Sequence, residues 1–207
     1  MSKARNFSEI APSIAFPEFN FYELYYSTFE KSELGRIKKL LPLREMAEDF
    51  GLVRKSMRPK LGPEGKVALM FLKMYTGLSC PKLLEQLNGN IHHQIFCDVI
   101  IDPTRPLTNY KLLDDIMLEL AGKLKIQQLQ GILADKWRPY MENLDSMYTD
   151  ATAMEGSFET QKEHYDLRRI KSRTKRTESL YIFFRIHTAN VVQLSDKIEQ
   201  RSSLAVA

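Results

Sequence analysis

Residues 63–77 read PEGKVALMFLKMYTG, and their period and punctuation decide the fold class. Pro63 suits a first helical position, where its missing N–H costs nothing. Val67, Met70, Phe71, Met74 and Tyr75 then recur at helical spacing on a wide apolar face. Gly77 breaks the run. Downstream, Ser79 is placed to cap PKLLEQLNGN, a short helix carrying Leu83, Leu84 and Leu87, and Asn88-Gly89-Asn90 reads as a turn. HHQIFCDVII (92–101) is a further short apolar segment, and DPTRP is a loop. Thr108 is expected to cap a helix with Tyr110, Leu112, Leu113, Ile116, Met117 and Leu120. Another helix is expected from Ile126 to Trp137, with Pro139 past its end.

Upstream, the basic stretch VRKSMRPKLG (53–62) reads as a loop. PLREMAEDFG is a helix opened at Pro42 and stopped by Gly51. Before it, Leu34, Ile37, Leu40 and Leu41 mark a helix with Ser32 at the N-cap. Residues 1–29, with Pro12 and Pro17, are expected to be an extended arm. Residues 30–143 therefore read as a helical domain of six or seven helices with short connections. The fold class expected is mainly α.

The texture changes at LDSMYTDAT (144–152), where one β-strand is expected. A basic run follows, LRRIKSRTKR (167–176), in which Arg168, Arg169, Lys171, Arg173, Lys175 and Arg176 stand without an acid among them. Such runs feed sequence-independent binding to nucleic acid through counterion release, and they also occur as solvated surface. TESLYIFFRIHTANVVQLSDKIEQ (177–200) reads as a long helix apolar nearly all round, which must be buried against something large.

With 207 residues, 43% hydrophobic and 27% charged, the chain has the composition of a globular protein, and its net charge of +4 excludes a polycation. Two cysteines make no disulfide framework. The apolar run 180–192 is broken by Arg185, His187 and Asn190 and falls short of the ~20 apolar residues that span a bilayer. A cytoplasmic protein without membrane contact is expected. His92, His93, Cys97 and Cys80 have no standard zinc spacing and are read as packing residues. The helices 63–77 and 79–88 form a helix-turn-helix-like pair of a kind that any bundle contains. Trp137 and the aromatic residues of 16–29 are read as packing residues.

Two carboxylates stand close together in MYTDATAME (147–155): Asp150 and Glu155. Thr152 and Glu155 also have the spacing of a capping box, which is a sufficient local explanation for the glutamate.

Four segments, SELGRIKKLLPLREMAEDFGL, GPEGKVALMFLKMYTGLSCPKLLEQLNGNIHHQIFC, DPTRPLTNYKLLDDI and MYTDATAME, occur in this order, followed by EGSFETQKEHYDLRRIKSRTKRTESLYIFFRIHTAN. Together they resemble bacterial insertion-sequence transposases of the DDE class, over residues 16–195. The resemblance implies that Asp150 is the family's first catalytic Asp, Glu155 its final Glu and Lys162 the lysine that follows, with Asp150 and Glu155 as ligands of Mg²⁺. It implies DNA as partner, namely the terminal inverted repeats of the element, and a homo-oligomer or a mixed oligomer with full-length transposase. In the family an RNase H-like α/β domain lies between the two carboxylates and carries the second Asp. Here residues 144–207 read as its strand-helix remnant. The slot for the signature arginine holds Ala151, and Arg185 stands where the family has a glycine.

The chemistry of the resemblance needs acids that converge on two divalent ions about 3.5–4 Å apart. In a helix, the five-residue offset from Asp150 to Glu155 turns the second group by about 140°. In a strand, an odd offset puts the two on opposite faces. A βαβ unit takes about 30 residues, and four residues intervene here. The expectation is an internally deleted, catalytically defective transposase derivative that retains DNA binding and binds no Mg²⁺ of its own. The alternative is a non-enzymatic interaction remnant acting as a repressor of the full-length enzyme.

Overall fold

The computed structural model describes residues 21–53, 61–141 and 174–204. These form helices α1 (Phe21–Lys31), α2 (Glu33–Leu40), α3 (Leu43–Asp49), α4 (Pro63–Thr76), α5 (Cys80–Gly89), α6 (Ile91–Phe96), α7 (Leu112–Ala121), α8 (Ile126–Met141) and α9 (Lys175–Leu204). The fold is mainly α, as its periodicity requires. The strand expected at 144–152 lies outside the described residues.

Helix α4 is the axis of the core. Val67 to Leu72 are six consecutive buried apolar residues, so the helix is covered on every side rather than along one stripe. Helices α3, α5, α6, α7 and α9 pack around it. Gly62 precedes it as N-cap and Pro63 opens it; Gly77 ends it at φ +62°, in the left-handed region that glycine enters without a Cβ penalty.

Helices α1 and α2 are separated by Ser32 alone. Its hydroxyl accepts from Gly35 N at 3.2 Å and donates to Phe29 O at 2.6 Å, so one side chain caps α2 and ties off the end of α1. At Gly35 a Cβ would overlap the carbonyl oxygen of Phe29. Gly35→Ala is expected to lower stability by about 1–3 kcal/mol by forcing α1 and α2 apart, measured as a reduced urea midpoint.

Helix α9 lies against α2, α4, α7 and α8. Leu180, Phe184, Ala189 and Val191 are fully buried, and Phe183 and Leu194 nearly so. The Phe184 ring is stacked 6.4 Å from Phe50 and meets Phe71 edge-on at 5.0 Å. At the other end of the helix, Arg36 of α2 pairs with Glu199 at 2.7 Å. The large partner required by an all-round apolar helix is thus the helical core of the same chain.

Several boundaries differ from the sequence reading. Residues 21–29, expected within an extended arm, are helical; α1 is held by packing on α2 and α6 rather than by its own aromatic-rich sequence. The expected turn at Asn88-Gly89-Asn90 shrinks to Asn90, because α5 continues through Gly89 and the Asn90 side chain immediately caps α6, accepting from His92 N and His93 N. Helix α7 starts at Leu112, not at Thr108, since the Asn109 side chain turns the chain by accepting from Lys111 N at 3.1 Å. Pro139 lies inside the last turn of α8 rather than beyond it; only one backbone bond is lost there, next to exposed residues.

Candidate functional site

The residues expected to carry chemistry fall in two groups. Asp150, Glu155, Lys162, Arg168, Arg169, Lys171 and Arg173 lie outside the described residues. Lys175 and Arg176 are described, and they form the first turn of α9, both exposed. Thr174 and Thr177 fix this start reciprocally: each side-chain oxygen accepts from the other residue's backbone N–H at 3.3 Å, and the two oxygens are 2.9 Å apart. The arrangement is a hydroxyl version of a capping box.

Two cations at this position work against the helix. The N-terminal end of a helix carries a partial positive charge, which favours acids and disfavours bases by roughly 0.3–1 kcal/mol each. Glu178 is the acid in this turn. An anion at this end would meet Lys175, Arg176 and free backbone N–H groups together.

The pair α4–α5 has the expected tight turn at Gly77. The outward face of α5 presents Lys82, Glu85 and Gln86, with one charge of each sign. A cavity of about 440 Å³ opens between α2, α3, α4 and α8, where Lys38, Arg44 and Lys136 are balanced by Glu45, Glu64 and Asp98. Lys38 reaches Ile95 O at 2.5 Å and so caps the last turn of α6; burial pushes its pKa down, and Asp98 partly offsets this. With its charges cancelled, this cavity offers no field that selects an anion.

The histidines and cysteines are dispersed. Cys97 is fully buried, and burial pushes its thiol up to about 12. His93 is buried with its pKa lowered by desolvation. His92 sits edge-on to Phe29 at 5.8 Å, and Cys80 lies 3.8 Å from Asp114. Among the described residues, no group of three His, Cys, Asp or Glu side chains is placed to hold a metal ion.

Two polar residues that sequence reasoning passed over organise the surface near α5. Asn88 donates to Leu107 O and accepts from Leu107 N, both at 2.9 Å. Gln94 donates to Asn88 O at 3.2 Å and accepts from Ile101 N at 3.1 Å. These amides pin both ends of the exposed 102–106 turn. No periodic pattern announces such bonds, which join an amide to backbone up to 19 residues away.

Residues 23–113, from α1 into α7, match the family model described as Transposase domain (DUF772). The match covers under half of the chain and supports a transposase family. It ends before α8 and α9. No curated protein and no solved structure matches the chain. Among the described residues, no helix is long and apolar enough to cross a membrane.

Proposed function

We propose that this is a transposase-family protein of a DNA insertion element that binds DNA and no longer performs strand transfer. The observation that supports the DNA-binding part is that Lys175 and Arg176, the last two residues of the basic run, stand exposed in the first turn of α9, where helix electrostatics disfavour them. The loss of strand transfer is supported by the four residues between Asp150 and Glu155, too few for the sheet that would aim acids at two metal ions. The DDE assignment of Asp150, Glu155 and Lys162, the internal deletion, and the element's terminal inverted repeats as ligand belong to this proposal. So does repression of a full-length enzyme by occupancy of its DNA ends.

A gel-shift series with terminal-repeat DNA and scrambled DNA at several salt concentrations tests it. Binding is expected to weaken linearly on logarithmic axes, and Lys175→Gln with Arg176→Gln to reduce the slope by about 2. Equal affinity for the two DNAs overturns the end-specific version, and an unchanged slope removes Lys175 and Arg176 from the interface. No Mg²⁺-dependent nicking is expected; nicking abolished by Asp150→Ala would refute the catalytic defect.

A further inference from the structure

Helix α9 is docked by apolar packing and penalised by the polar groups that go in with it. Leu180, Phe184 and Val191 are wholly buried. Buried along the same turns are Arg185, His187, Thr188 and Ser195. Arg185 Nε and Nη1, His187 Nδ1, Thr188 Oγ1 and Ser195 Oγ have no hydrogen-bond partner among the described residues. The Tyr181 ring, 5.0 Å from the Arg185 guanidinium, attracts its charge and satisfies neither of those two nitrogens. Other hydroxyls of α9 are satisfied: Ser179, Ser202 and Ser203 donate to the carbonyl four residues back, at 3.0, 2.9 and 3.0 Å, and none of these serines is buried. Helix α4 is buried more deeply, yet among the described residues it contributes no buried side-chain atom without a partner.

A buried donor or acceptor without a partner has given up its bonds to water for nothing, and a buried guanidinium loses more than a neutral group. Undocking α9 returns all of these groups to water. Undocking α4 returns none. Stability is therefore spread unevenly across the core, and α9 lies at its low end. We infer that α9 is a latch: it leaves the core as one unit while α4 and the helices around it stay folded, and the unpartnered groups of Arg185, Thr188 and Ser195 set how often it does so. Opening uncovers the apolar seat that Phe50 and Phe71 form for Phe184. The first turn, with Lys175 and Arg176, moves with the latch. Under the DNA-binding reading above, phosphates on these two cations would offset the unfavourable charge at the helix start and favour the docked state. The inference itself does not rest on that reading.

The test is native-state hydrogen exchange of the full chain, free of DNA, read by mass spectrometry of peptides from α4 and α9. Amides of 183–195 are expected to exchange roughly tenfold or more faster than those of 67–74. Arg185→Met and Thr188→Val nearly keep side-chain volume and remove unpartnered groups. Exchange in α9 is expected to slow roughly tenfold or more in the first and about threefold in the second. Ile95→Val, in α6, weakens the part that stays folded; it is expected to speed α4 exchange roughly fivefold and to leave α9 exchange unchanged. A single rate for both helices in the parent, or equal acceleration of both by Ile95→Val, means that α9 opens only with the whole fold and overturns the inference. Faster α9 exchange in both Arg185→Met and Thr188→Val overturns it too, because these groups would then hold the helix down. All rates are taken without DNA, so a failure of the DNA-binding reading leaves them unchanged and the two readings fail separately.

Discussion

Phe184→Ala is expected to lower the stability of the folded chain by about 3–5 kcal/mol, the range for truncating a fully buried phenylalanine. The ring has no exposed surface and contacts Phe50, Phe71 and Phe183, so its removal leaves a cavity lined by three rigid aromatic rings that cannot collapse into it. The measurement is urea unfolding, with a lower midpoint and an unchanged slope expected. Ile182→Ala, on the half-buried outer side of α9, is the control and is expected to cost much less, about 1 kcal/mol. A similar cost at both positions would mean that α9 does not close the core.

The second large effect is on pH dependence. His187 is 9% exposed, packed 4.4 Å from Phe183 and 6.0 Å from Trp137, and desolvation pushes its pKa down to about 4. The unfolded chain takes up this proton near pH 6.5, whereas the folded chain does so only near 4. Between those values the unfolded state binds more protons, so the folded state loses stability as pH falls through the window and is unaffected by this group above it. The integrated loss is about 3 kcal/mol. His93, also lowered by burial, acts in the same direction. His187→Leu removes the group's contribution: the stability difference between parent and variant should be flat above about pH 6.5 and move in the variant's favour below it. A difference that stays constant from pH 7 to 4 would show that the imidazole is solvated.

Much of the helical framework was legible because its signals are local. Ser32, Pro63 and Gly77 act through the backbone beside them, and each stands where its chemistry predicts. The apolar period of 63–77 identified a helix but understated its burial. Ala68, Leu69 and Leu72 are buried too, a fact set by the five helices around them. Helix α1 was missed because Tyr25, Tyr26 and Phe29 have weak helix propensity, and tertiary contact overrides it. The site was legible only as charge and spacing. Lys175 and Arg176 could be read as basic, but that they occupy a first helical turn depends on where Thr174 and Thr177 cap it. Arg185 illustrates the opposite limit. A run of apolar residues hides a guanidinium that is buried and whose Nε and Nη1 find no hydrogen-bond partner among the described residues, with the Tyr181 ring 5.0 Å away.

The paired bonds between Asn88 and Leu107 make the surface near α5 sensitive to a single atom. A carboxamide carries an NH₂ donor group beside a carbonyl acceptor, and Leu107 uses one bond from each. Asn88→Asp keeps the shape and exchanges the donor for a second anionic oxygen facing Leu107 O. Asn88 is followed by Gly89, the neighbour that least hinders cyclisation of an asparagine side chain onto the backbone. The helical geometry of α5 holds the pair away from that reaction, so spontaneous hydrolysis of the Asn88 amide would be gated by fraying of this helix end and would loosen the Leu107 end of the 102–106 turn, while Gln94 still holds the Ile101 end.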